Sequence, residues 1–165
     1  MLGYTLNDTQ RFRTGISQAL SVAPQRVSCW VVGEHGAGQV PVFSTITVDG
    51  AHVELTADQR AIALDYADNW YVRHVALDSG RTSTWSSGIG GALMVEAIAH
   101  PSDIAFPASV VLDGEYGLHG VSASSPVILG AEGLVRVVEI PLDSSEMTRL
   151  HETAAKISEL AASLG

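Results

Sequence analysis

The chain has a single cysteine, Cys29, in 165 residues. One thiol excludes an internal disulfide and a cysteine-based zinc cage, and it sets the expectation of a reducing, cytoplasmic setting. Positive charge is also scarce: 9 Lys and Arg stand against 18 Asp and Glu, a formal net charge of −9. That balance argues against nucleic acid as a partner, and any anionic ligand needs a local cation. No run of about 18 apolar residues occurs, so no membrane span is expected. Met1-Leu2-Gly3-Tyr4 has no basic stretch leading into an apolar one, so no signal peptide is expected. His52, His74, His100, His119 and His151 are scattered, without the spacing that pairs ligands on a helix, so no metal site is expected. A Gly-x-Gly-x-x-Gly between a strand and a helix is missing too. The nearest cluster, Gly88-Ile89-Gly90-Gly91, falls inside a helical pattern and reads as close helix packing.

What is present reads as one compact domain over 1–165, long enough to bury a real core. Phe12, Ile16 and Leu20 form an apolar stripe at helical spacing. Val27-Ser28-Cys29-Trp30-Val31-Val32 reads as a buried strand, with Cys29 as core packing. Gln39 to Val48 is β-rich and closes on an Asp49-Gly50 turn. Thr56-Ala57-Asp58-Gln59 has capping-box spacing and opens a long helix carrying Ile62, Tyr66, Trp70 and Val75 or Leu77. Trp85 to Ala99 is a second helix, stopped by His100-Pro101. Phe106 to Leu112 and Val121 to Ile140 give short strands. Asp143-Ser144-Ser145-Glu146 is a second capping box, starting a helix with the stripe Met147, Leu150, Ala154, Ile157 and Leu160. The expected class is α+β, with mostly antiparallel strands packed against long helices.

Two segments carry chemistry. His35 lies between glycines in Val32-Gly33-Glu34-His35-Gly36, just past the end of the strand. The backbone can turn there, and the imidazole can face a cleft. An imidazole titrates near neutrality, which suits it to proton transfer. Asp8 and Arg11 are three apart near the start of the first helix and share a face. Asp8 suits the N-cap or first turn by residue type and charge. The bland reading of this pair is a surface ion pair. The sharper one has Asp8 fix the tautomer of a histidine while Arg11 grips a carboxylate through two parallel hydrogen bonds.

These segments resemble the lactate and malate dehydrogenase family. Asn7-Asp8-Thr9-Gln10-Arg11-Phe12-Arg13 looks like its Asp-x-x-Arg helix start. Gly33-Glu34-His35-Gly36 with Gln39-Val40-Pro41-Val42 looks like its catalytic histidine loop. Leu112-Asp113-Gly114-Glu115-Tyr116-Gly117 and Pro126-Val127-Ile128-Leu129-Gly130 look like its late strands and turns. The resemblance spans nearly the whole chain and implies the C-terminal, substrate-binding domain of such an enzyme. It implies that the NAD-binding domain is absent from the chain, and with it the loop that chooses between lactate and malate. His35 and Asp8 would be catalytic, and Arg11 would bind the substrate carboxylate. Counting back from Glu96-Ala97-Ile98 places Ser83 against the substrate side chain; a one-residue slip would choose Thr82 or Thr84, and helix capping is an equal reading.

The implied function is the catalytic half of an NAD-dependent 2-hydroxy acid dehydrogenase. The L-lactate type is favoured because Arg81-Thr82-Ser83-Thr84-Trp85 offers hydroxyls near the substrate. Malate dehydrogenase is the alternative within the family. A stand-alone oligomerisation or binding module without activity is the alternative outside it. The expected partners are a small 2-hydroxy or 2-oxo acid and further copies of the chain, and the isolated chain is expected to be inactive. Two departures from the family pattern stand out. Ala37 replaces the usual aspartate after His35-Gly36, which bears on loop hydrogen bonding. Arg13 matches an effector-binding arginine of sugar-bisphosphate-activated bacterial lactate dehydrogenases, but Ser28 stands where its companion histidine belongs, so that regulation is not expected.

Overall fold

The computed structural model describes residues 2–80 and 84–163. Among them the elements run β1 (Gly3–Tyr4), α1 (Leu6–Leu20), β2 (Val27–Gly33), β3 (Gln39–Val48), β4 (Ala51–His52), α2 (Ala57–Asp68), α3 (Trp70–Ala76), α4 (Thr84–Ala99), β5 (Phe106–Asp113), β6 (His119–Gly130), β7 (Gly133–Val137) and α5 (Ser144–Ala162). The strands make one seven-stranded sheet in the order β1-β5-β6-β2-β3-β4, with β7 pairing β6. Every pairing is antiparallel. No described helix is long and apolar enough to cross a membrane.

The sheet carries an apolar layer on each side, because successive strand residues point to opposite faces. Val31 belongs to one cluster and its neighbour Val32 to the other. Val27, Cys29, Val31, Phe43 and Ile46 gather with Phe12 and Ile16 of α1 and Ala63 of α2. Val32, Val40, Val42, Ala108, Val110 and Val127 gather with Leu150 and Ala154 of α5. The α1 stripe is therefore core, and Leu20 packs at its margin. Burial pushes the Cys29 thiol up to about 12, so Cys29 is a packing residue rather than a nucleophile.

Both capping boxes form. Thr56 accepts from the Gln59 amide while the Gln59 side chain accepts from the Thr56 amide, and Asp143 and Glu146 do the same at α5. Glu146 goes further. Its buried carboxylate also accepts from the amides of Phe43 (2.7 Å) and Ser44 (3.0 Å), which ties the start of α5 to β3. In the α5 stripe Leu150 and Ala154 are buried, whereas Leu160 is exposed.

The long helix expected from Thr56 onward is two helices, and its buried face is not the expected one. α2 stops at Asn69, whose φ of −93° and ψ of 17° leave the helical region. Ile62, Val75 and Leu77 are exposed, while Ala63 and Ala67 are buried. The reason is a close helix crossing. A Cβ built on Gly15 of α1 would lie 2.5 Å from the Ala63 carbonyl oxygen. Only small residues fit at that approach, so the small face of α2 is the one that docks. Gly90 of α4 serves a similar purpose: the Tyr4 ring occupies the space a side chain there would need. α4 otherwise leaves Trp85, Ile89 and Val95 largely uncovered.

Gly15→Ala forces α1 and α2 apart. It is expected to lower the unfolding free energy by about 1–3 kcal/mol, read from the urea midpoint at unchanged m-value. An unchanged midpoint would show that the crossing is looser than described.

Candidate active site

β2 ends at Gly33, whose φ of +90° turns the chain out of the sheet. A Cβ there would also lie 2.7 Å from the Gly38 carbonyl oxygen, so glycine is required on two counts. The loop between β2 and β3 closes through backbone bonds: Glu34 N–H donates to Gly38 (3.2 Å) and Gln39 N–H to Gly36 (3.2 Å). It therefore closes without a side chain at position 37, where Ala37 is exposed. From α5, buried Thr153 donates its hydroxyl to the Gly38 carbonyl at 3.0 Å. His35 sits in this loop with its side chain 61% exposed.

The first turn of α1 lies opposite. Thr5 is its N-cap residue, but its hydroxyl pairs with Ser124 Oγ at 2.8 Å instead of capping the helix. Asp8 falls in the first turn, where the helix dipole favours a carboxylate, and is 4% exposed. Its two oxygens are divided. Oδ2 lies 2.6 Å from His35 Nδ1, and Oδ1 accepts from Arg11 Nη1 at 2.9 Å. An ionised carboxylate only accepts, so Nδ1 of His35 carries a proton. In the neutral ring Nε2 is then left as the acceptor.

Arg11 is largely covered. Its guanidinium stacks on the Trp70 ring, 3.6 Å from the centroid. Burial lowers its pKa from the ordinary range, and Asp8 works in the opposite direction; the group stays cationic. Asp8, Arg11 and His35 open onto one cleft of about 470 Å³. Trp70, Asp68, Gln39, Pro41 and Arg149 line it as well. Gln39 Nε2 donates to Asp68 Oδ1 at 2.9 Å, and Arg149 Nη2 donates to the Gln39 carbonyl at 3.3 Å. The expected residues Asp8, Arg11 and His35 are thus together. Ser83 lies outside the described residues. Sequence reasoning missed Trp70, Asp68, Arg149 and Thr153, and no local pattern marks them, since each reaches the site across tertiary contacts.

A family model described as lactate/malate dehydrogenase, alpha/beta C-terminal domain, matches residues 5–163. The chain belongs to this family. A malate dehydrogenase of Halobacterium salinarum is 40% identical over 151 residues, covering 92% of this chain and 49% of that protein. An L-lactate dehydrogenase of Corynebacterium glutamicum is 31% identical over 164 residues, covering 94% of this chain and 51% of that protein. The solved malate dehydrogenase of Salinibacter ruber superposes with a TM-score of 0.87 at 30% identity, over 99% of this chain and 54% of its own. The chain therefore spans about half the length of the relatives it matches, and it is the C-terminal domain of this dehydrogenase family.

The division of Asp8 between two partners has a spectroscopic consequence. In nitrogen-edited NMR of the neutral imidazole, His35 should be the Nδ1–H tautomer. Asp8→Ala should shift it toward Nε2–H, since the hydrogen bond at one ring nitrogen sets the state of the other. An unaltered tautomer ratio would show that Asp8 does not hold the ring.

Proposed function

We propose that the chain is the catalytic and substrate-binding half, over 1–165, of an NAD-dependent 2-hydroxy acid dehydrogenase. The observation that carries this reading is the shared Asp8 carboxylate, with an imidazole on one oxygen and a guanidinium on the other at one cleft. In this reading His35 Nε2 accepts the substrate hydroxyl proton during oxidation and returns it during reduction. Asp8 fixes the ring and stabilises the imidazolium. Arg11 holds the substrate carboxylate, so the reacting carbon meets His35 in a fixed pose. Ser83 would contact the substrate side chain.

The one glycine cluster that resembles a dinucleotide fingerprint lacks its strand–turn–helix setting among the described residues. Gly88-Ile89-Gly90-Gly91 lies within α4 rather than between a strand and a helix, and Tyr4 packs over Gly90. NAD would accordingly be bound mainly by a separate domain, and the residues here supply proton transfer and carboxylate binding only. Self-association belongs to the same reading, with the uncovered apolar side chains of α4 as available surface.

The hydroxyls at 82–84 support the lactate type. A malate-type reading has two observations of its own: the 40% identity to a malate dehydrogenase, and Arg149 as a second cation lining the cleft, suited to a distal carboxylate. Comparing kcat/KM for pyruvate and oxaloacetate, with the chain joined to a nucleotide-binding half, decides between them.

Two outcomes test the general proposal. The 165-residue chain alone should not oxidise NADH with pyruvate or oxaloacetate; measured turnover would refute the domain assignment. In the joined enzyme, His35→Gln should lower kcat by at least about 10²-fold. Arg11→Lys should act chiefly on KM, because two aligned hydrogen bonds become one diffuse contact. If both variants keep the parent kinetics, the proposed roles are wrong.

A further inference from the structure

The helix that sequence pattern runs on from Thr56 is broken at Asn69, whose side chain folds back to donate to Asp65 Oδ1 at 2.8 Å. The break makes Trp70 the first residue of α3. It is half-buried, and its ring lies against the Arg11 guanidinium at 3.6 Å. This is the shortest of the cation–ring contacts among the described residues; Arg73 over Tyr66 is at 4.3 Å and Arg60 over Phe43 at 4.7 Å.

The stack matters because of Asp68. That carboxylate lines the same cleft as Arg11, yet the two form no ion pair among the described residues; Asp68 is engaged by Gln39 instead. A guanidinium on a long side chain has considerable rotamer freedom, and a nearby carboxylate is its natural partner. Asp8 fixes only one corner, Nη1. The Trp70 ring fixes the plane. With the corner and the plane both set, the remaining N–H groups stay available to an incoming anion.

We infer that Trp70 is a positioning residue for the carboxylate site: its indole clamps the Arg11 guanidinium by one face and keeps it from being captured by Asp68. This inference rests on the reading of Arg11 as the carboxylate ligand. It assigns a purpose to the break at Asn69, since a continuous helix would carry Trp70 along a different path.

The test uses the 165-residue chain, with pyruvate as the probe and NMR as the readout, following the Arg11 Nε–Hε resonance. Circular dichroism melts establish that each variant is folded. Stacking on the indole should displace the Hε resonance through the ring current, and Trp70→Ala should abolish that displacement. Trp70→Ala should weaken pyruvate binding about 3- to 10-fold, the range of a partly desolvated cation–π contact. Trp70→Phe keeps a ring face and should recover most of the loss. Asp68→Asn should restore more binding in the Trp70→Ala background than it adds to the parent chain, because only there is Arg11 free to be captured. If Arg11→Lys weakens binding while Trp70→Ala does not, the positioning role is wrong and the carboxylate role stands. If Asp68→Asn adds equally in both backgrounds, the capture argument is wrong. If Arg11→Lys leaves pyruvate binding unchanged, or no chain binds pyruvate, the reading of Arg11 fails and this inference falls with it.

Discussion

The buried carboxylate of Asp8 is the constraint around which the site is arranged. It gives one oxygen to an imidazole and the other to a guanidinium. Neither partner comes near it by chance: Arg11 is one helical turn away, and His35 arrives from the far end of β2. A carboxylate removed from water is costly unless its lone pairs are filled. The same bonds that meet this requirement also orient the imidazole and the guanidinium. Stability and geometry are therefore satisfied by one arrangement, and removing either partner leaves a buried charge short of a bond.

The rest of the fold holds that arrangement still. Phe12 and Ile16 bury the far face of α1 in the sheet, while Gly15 lets α2 come close enough to bring Trp70 within reach of Arg11. On the other side of the sheet, α5 is locked to β3 by Glu146 and to the histidine loop by Thr153. The site thus lies where two independently anchored helices meet one turn. Positioning of this kind is where a large part of an enzyme's rate advantage arises.

Much of this was legible in sequence where the signal is local. The α1 stripe, the β2 run, the two capping boxes and the paired glycines of the histidine loop are all short-range patterns, and they form as read. The triad Asp8, Arg11 and His35 was legible through the order of its motifs. What sequence hid is long-range. Ile62 and Tyr66 look like the buried face of α2 because they are large and apolar, but Gly15 on another helix selects Ala63 and Ala67. Trp70 looks like part of the same stripe, but it opens a new helix after the break at Asn69 and lies against Arg11 of α1. Arg149 reaches the cleft, and Thr153 the loop beside it, from a helix more than a hundred residues downstream.

That distance orders events in time. The bond from Thr153 to Gly38 spans 115 residues, and that from Glu146 to Phe43 spans 103. During synthesis the histidine loop emerges long before the helix that braces it. Asp8 and His35, only 27 apart, can meet early, but the loop that carries the imidazole gains its last support when α5 docks. Long-range closure of this kind is slow relative to local pairing. The nascent chain therefore carries the Asp8–His35 contact without its brace until α5 has emerged, and the loop gains that support only when the helix docks.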